Sequence, residues 1–208
     1  MNSVLIESHF LPSLEYFCAL APFETIVLEK HEHFNKQSFR NRCYILAAQG
    51  IERLSIPVTA KRGKVMITDV QIDYSVKWQI TFWRTLESAY AKAPFYEHYR
   101  DDLQKEIFSS QKYLYDLNHR LLSMCLQWLK WSKSISESAA YEKEISPGCT
   151  DLRSLISTKK DFLAREFYKP QPYQQVFGST FVPNLSLIDV IFCEGPHAAN
   201  LVVHSLRN

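Results

Sequence analysis

Apolar positions change their spacing along this chain, and each change marks a different kind of structure. Val4–Ile6 is a short apolar run of strand character, and Pro12–Ser13 opens a helix through Leu14, Phe17, Cys18 and Ala21. Pro22 closes that helix, because proline cannot continue the hydrogen-bond ladder and disfavours helix at the residue before it. Thr25–Leu28 is β-branched and apolar, the composition of a central strand. Phe39–Ala47 and Ile51–Val58 flank Gln49–Gly50 and predict a hairpin whose turn needs glycine. Lys64–Tyr74 predicts a further strand, with a change of phase that suggests a bulge.

After Trp78 the period becomes helical. Phe82, Leu86, Ala89 and Tyr90 follow it, and Pro94 restarts a helix carrying Phe95, Tyr99 and Leu103. Leu114, Leu117, Leu121, Cys125, Trp128 and Leu129 make a long amphipathic stripe that predicts a core-facing helix. Ser132–Thr150 is small, polar and broken by Pro147–Gly148, so it reads as loop or weak helix. Lys169–Tyr173 is extended. An irregular FVPNLS segment leads into an apolar helix from about Leu187, capped by Asn184 or Ser186 and stopped at Glu194–Gly195–Pro196. The expected fold is α/β or α+β: an N-terminal mixed β-sheet of about four to six strands, with helices from the middle and C-terminal parts packed on it. The order is not a clean alternation of strands and helices, yet strand, helix and second strand at the start are compatible with one Rossmann-like βαβ unit. That unit would bring Ser8, His9 and His31–Lys36 to the carboxyl ends of neighbouring strands, where open α/β sheets bind ligands.

Composition narrows the functional classes. The 208 residues form one expected domain, and a hydrophobic fraction of 46% with thirteen Phe, eleven Tyr and four Trp supports a real core. A formal net charge of +2 argues against nonspecific nucleic-acid binding. No apolar run approaches the roughly 20 residues that cross a bilayer. The first ten residues lack the pattern of a signal peptide, and five widely separated cysteines favour reduced thiols. The expected location is therefore cytoplasmic.

Candidate chemistry concentrates between Glu29 and Val58. On an extended chain, Lys36, Ser38, Arg40 and Arg42 would share one face as a cationic stripe suited to a phosphate or carboxylate; solvated charges on an edge strand are the plainer reading. Gln37 and Asn41 are amides fit for sugar hydroxyls. His31 and His33 form an HxH pair. With a carboxylate or third imidazole from Glu29, His9 or Asp69 they would suit zinc or iron, but no spacing selects a third ligand, so no metal is assigned. A general base is the stronger functional reading for one of them, since an imidazole titrates near neutrality. Among the aromatics, Phe82, Tyr90 and Phe95 follow the core stripes, whereas Trp83 and Tyr96 lie beside them as candidate sugar platforms. Neither GxGxxG nor a Walker pattern occurs, and the cofactor stays unknown.

The blocks EKHEHFNKQSFRNRCYI, LSIPV, ITDVQIDY, WQITFWRTLESAYAKAPFYEHYRDDL and YQQVFGSTFVPNLSLIDVIFCEGP together resemble the short form of the WbqC-like family. The resemblance implies a cytoplasmic role near O-antigen or capsule synthesis in bacteria. It also implies group transfer, of glycine or another amino-acyl group onto a sugar, as suggested for some relatives. Many short members carry His-Trp where this chain has Phe82–Trp83, so the resemblance supplies no base there. Two function classes follow. In the first, the chain is a transferase: Lys36, Arg40 and Arg42 hold a small-molecule anionic donor, His31 or His33 deprotonates the sugar acceptor, and Gln37, Trp83 and Tyr96 orient it. In the second, it is a non-catalytic binding or scaffold protein of the same pathway. A cleft that gathers His9, His31, Lys36 and Arg40 favours the enzyme; their dispersal favours the scaffold.

Overall fold

The computed structural model describes residues 2–59, 64–145 and 147–207. Its fold is α/β. The first strand, β1 (Ser3–Glu7), is followed by helix α1 (Leu14–Leu20) and by strand β2 (Thr25–Glu29), which lies parallel to β1 with Ser3 opposite Thr25 and Glu7 opposite Glu29. This is the expected βαβ start. A hairpin follows, β3 (Arg42–Ala47) and β4 (Gly50–Ser55), with Gly50 at φ 108° where its turn requires the left-handed region. Three helices come next: α2 (Trp78–Tyr90), α3 (Tyr96–Ile107) and α4 (Leu114–Trp128).

Two strands then arise inside the stretch that reads as loop. Strand β5 (Ser134–Glu137) pairs parallel with β2, and β6 (Cys149–Asp151) pairs parallel with β1. The sheet order is β5-β2-β1-β6, so β1 and β2 are central and the late strands cover their outer edges. The hairpin is a separate sheet. Parallel and antiparallel pairing therefore both occur, but in two sheets, and half of the parallel one comes from beyond the helices. Residues 64–74 correct another expectation. They make a 3-10 turn at Ile67–Asp69 and isolated bridges from Met66 to His33, Ile72 to Val58 and Gln71 to Tyr113, in place of a strand.

Helices α5 (Leu187–Glu194) and α6 (Ala198–His204) complete the chain. All residues of α1 are buried, as are Leu187–Cys193 of α5, and the two helices pack on each other. The stripe Leu114, Leu117, Leu121 and Cys125 is buried as its spacing predicts. Capping differs in detail. Ser186 stands at the start of α5 but its hydroxyl donates to the Leu11 carbonyl. Asn184 instead accepts from the Glu15 N–H, and so caps α1 from 169 residues away. Gly195 ends α5 at φ 53°; a Cβ there would lie 2.5 Å from ring atoms of Phe95, so both the backbone and the packing require glycine.

Asp189 is buried in the first turn of α5, where it accepts from the hydroxyls of Tyr90 and Tyr173 and from Gln175. Burial raises its pKa against those bonds, which lower it. Glu15 is held in the same way by Arg165 and Asn184. Through Arg165, Tyr173, Gln175 and Asn184 these two acids fasten the irregular segment between β6 and α5 to the core, which gives FVPNLS its place without regular structure.

Candidate functional site

Parallel strands end on the same side of a sheet, and here each ends in an acid: Asp151 on β6, Glu7 on β1, Glu29 on β2 and Glu137 on β5. Glu7 and Glu29 are register partners on the two central strands. Beyond β1 the chain continues as Ser8 and His9. Glu7 is 1% exposed, His9 2% and Glu29 0%. Buried charges of this kind persist only with partners.

Arg40 supplies one. It forms a forked pair with Glu32 and lies 3.5 Å from Glu7 Oε1. The Asn118 side chain donates to the Arg40 carbonyl at 2.8 Å, so α4 fixes the backbone beneath it. The other Glu7 oxygen accepts from the Ser154 N–H at 2.9 Å. Arg153, the residue before Ser154, supplies the second cation, reaching Glu29 at 2.8 Å and forking onto Asp151. Ser138, just after β5, donates to Glu29 at 2.6 Å. All four parallel strands thus contribute to one cluster at their carboxyl ends, the position where such sheets bind ligands.

Within it, some polar atoms have no partner. Glu7 Oε1, Ser8 Oγ and both ring nitrogens of His9 lack hydrogen bonds, and His9 Nε2 is 3.6 Å from Glu7 Oε1. The imidazole is held between Tyr16 and Phe39, with ring centroids 4.8 and 5.3 Å away. Burial lowers the His9 pKa, against the neighbouring Glu7 and helped by Arg40, so the ring is neutral at neutral pH. For Glu7, burial raises the pKa, but His9, Arg40 and the Ser154 N–H together outweigh it and the net shift is down. Glu32 moves the other way, since burial and the charges of Glu7 and Glu29 outweigh Arg40. Two carboxyls around one guanidinium are pushed apart in acidity, a pattern common where acid and base roles are divided.

The residues singled out from the sequence fall into three groups. Arg40 lies in the cluster, and His31 borders it: its backbone N–H donates to Glu29 and its Nε2 is 3.1 Å from the Ser138 carbonyl. His9 is central. Lys36, Gln37 and His33 are exposed; Asn41 donates to the Ile56 carbonyl, and Arg42 is half-buried at the start of β3. The cationic stripe does not form, because residues 36–40 are turns and Gln37 takes φ 58°, which ends any strand alternation. HxH likewise sits beyond the end of β2, so its two rings do not share a strand face. Trp83 is 7% exposed against Phe108, and Tyr96 is buried against Phe192, both with core packing. Asp69 lies in the 3-10 turn. Among the described residues, no three His, Cys, Asp or Glu side chains are grouped as metal ligands. Cys43 and Cys125 are buried, and burial pushes the Cys43 thiol up and that of Cys125 up to about 12, which makes them poor nucleophiles.

Sequence reasoning missed Glu7, Glu32, Ser138 and Arg153. The first had a signal: VLIE and IVLE are matching apolar runs, each closed by an acid.

The model of the WbqC-like protein family matches residues 7–171, which begin at Glu7 and take in every side chain of the cluster. The chain belongs to the WbqC-like protein family. It is also 29% identical over 140 residues to an uncharacterized protein of Mycobacterium tuberculosis, a match that covers 66% of this chain and 60% of that relative. No solved structure matches. In this WbqC-like chain the matched span holds β2, β5, β6 and the last residue of β1, while α5 and α6, which pack behind α1, lie outside it. No helix among the described residues is long and apolar enough to cross a membrane.

Proposed function

We propose that this chain is a cytoplasmic group transferase of surface-polysaccharide synthesis, with His9 as its general base. The observation that carries this reading is the buried, neutral His9 with both ring nitrogens free, next to an ionised Glu7 at the end of a central parallel strand. A neutral imidazole accepts a proton, and Glu7 stabilises the imidazolium that results. The acceptor's hydroxyl or amine gives its proton to His9 and bonds to the acyl carbon of the activated donor. The leaving group departs with the bonding electron pair and then receives the proton. Arg40 has its fork on Glu32, so its role is to fix Glu7 and Glu32 about the reacting centre rather than to clamp a phosphate. His31, at the end of the neighbouring strand, is the second candidate for contact with substrate; His33, Lys36, Gln37 and Arg42 are better placed for the outer rim.

The test begins with a thermal-shift screen of nucleotide-sugars, acyl donors and amino or hydroxy sugars, because a ligand selective for the folded state raises apparent stability. Compounds that shift the melting temperature are combined in pairs and the product is sought by mass. His9→Gln is expected to retain the ligand-induced shift while turnover falls by about 10²–10⁴-fold, the usual contribution of a positioned base. The wild-type rate should rise with pH below 6.5 and be level by neutrality, since the His9 pKa lies below that ordinary value. Full turnover by His9→Gln would remove the assignment, and a protein that binds several ligands yet converts none would favour the scaffold.

A further inference from the structure

The catalytic reading leaves one physical problem: Glu7 and His9 are almost wholly buried, so substrate reaches them only after part of the protein moves. The surface hollows do not solve it, and those of about 530 Å³ beside Trp131 and about 440 Å³ beside Lys92 lie away from the cluster. The hollow of about 550 Å³ beside Tyr168 and His204, and that of about 400 Å³ between β4 and α2, share no residue with the cluster. We propose that residues 155–167 are a lid over the carboxyl ends of the parallel strands, and that its opening admits substrate to His9. The proposal rests on the reading of His9 and Glu7 as the reactive centre.

The segment has the anatomy of a movable cover between two fixed posts. The first post is Arg153, which binds Glu29, Asp151 and the Glu142 carbonyl and lies 4.7 Å from the Tyr141 ring centroid. The second is Tyr168, buried and bridged to Leu206. Just after the first post, Ser154 takes φ 61°, a left-handed conformation at the bend where the segment departs. Between the posts, Ile156 is the only buried side chain. Phe162 and Phe167 reach the core only half-buried. Two polar contacts add to them: Thr158 donates to the Gln37 carbonyl at 3.2 Å, and Arg165 forks onto Glu15. The first contact ties the segment to the loop that carries Phe39 and Arg40. The second seats it on α1, close enough for the Glu15 charge to act on His9. Segments with few buried apolar contacts open at lower free energy than the core. Arg165 also braces the segment from within, donating to the carbonyls of Ser157 and Lys160, so the piece between the posts is tied together as one body.

The test uses the full chain and needs no substrate. Diethyl pyrocarbonate acylates neutral imidazoles, and the rate at His9 is followed by peptide mass. Removing Arg165 alone would strand a buried carboxylate, so the releasing variant is the pair Glu15→Gln and Arg165→Gln. It should raise the His9 modification rate by about tenfold or more, as expected of a cheaper local opening. Hydrogen exchange should quicken over residues 155–167 while the amides of α4 stay protected. The locking variant joins Gln37→Cys to Thr158→Cys in a Cys149→Ser background; its oxidised form should slow His9 modification and reduction should restore it. Where that crosslink does not form, the releasing variant decides alone. Equal His9 rates in the wild-type and releasing proteins, an inert His9 in both, or rates that follow global unfolding would each overturn the lid. A lid that passes these tests together with an active His9→Gln would leave the gate standing and reject the base assignment.

Discussion

At the scale of single residues, the decisive contrast is between two histidines. His33 drew attention through its spacing with His31 but is exposed, whereas His9 stands alone in the sequence and is nearly sealed. Sealing has a measurable consequence. The folded pKa of His9 lies below its ordinary 6.5, so between these values the unfolded chain binds the extra proton and folding stability falls as pH drops from 6.5 toward the folded value. Glu7 acts in a separate, lower window: its folded pKa lies below 4.5, so its contribution is present above 4.5 and is lost as pH falls through the folded value. Urea titrations of wild type and His9→Gln at pH 5.0–7.5 should therefore give a steeper decline for wild type just below pH 6.5. Parallel curves would mean that folding leaves the His9 pKa unshifted. The place of His9 was legible because a βαβ start fixes where the chain emerges from β1, whereas Arg40 was singled out through a cationic stripe that does not form. Arg153 and Ser138 were not, since nothing local says that residues after the helices return to the same sheet edge.

At the scale of elements, spacing was a good guide wherever a face is buried over several turns. The α4 stripe is the clearest case, with Leu121 fully buried midway along it. Leu121→Ala should cost about 2–5 kcal/mol, because the removed side chain leaves both lost transfer energy and a cavity. A shift of the urea midpoint measures this at unchanged slope, and a cost near zero would mean that this face is exposed or belongs to a partner interface. The elements that escaped notice are short and carry little pattern. Strand β5, SISE, has one half-buried and three exposed residues, and β6 has only three residues. Their strand character comes from the bare edges of β1 and β2, whose backbone groups need partners, rather than from their own composition. The reverse error occurred at residues 64–74, where apolar alternation meets a buried corner and forms bridges and a 3-10 turn instead of a ladder.

At the scale of the whole molecule, the sheet is built inside out. Thr25 on β2 meets Ser134 on β5, 109 residues later, and their hydroxyls lie 2.9 Å apart. Seen in time rather than space, this topology sets a delay in biosynthesis. At about 5–20 residues per second, roughly 5–20 s pass between synthesis of β2 and synthesis of the strand that covers it. Throughout that interval β1 and β2 present two uncovered edges of apolar backbone, the arrangement most prone to pairing with another chain. A chain ended after Lys133 reproduces that nascent state. It should associate at micromolar concentration and bind a hydrophobic dye, while the full chain does neither; a monomeric, cooperatively melting fragment would refute the expectation. The two late strands then act as more than scaffold for Ser138 and Arg153. Their arrival both ends the nascent chain's exposure and completes the cluster around Glu7 and Glu29, so the protein acquires protection from misassembly and its candidate chemistry in the same folding event.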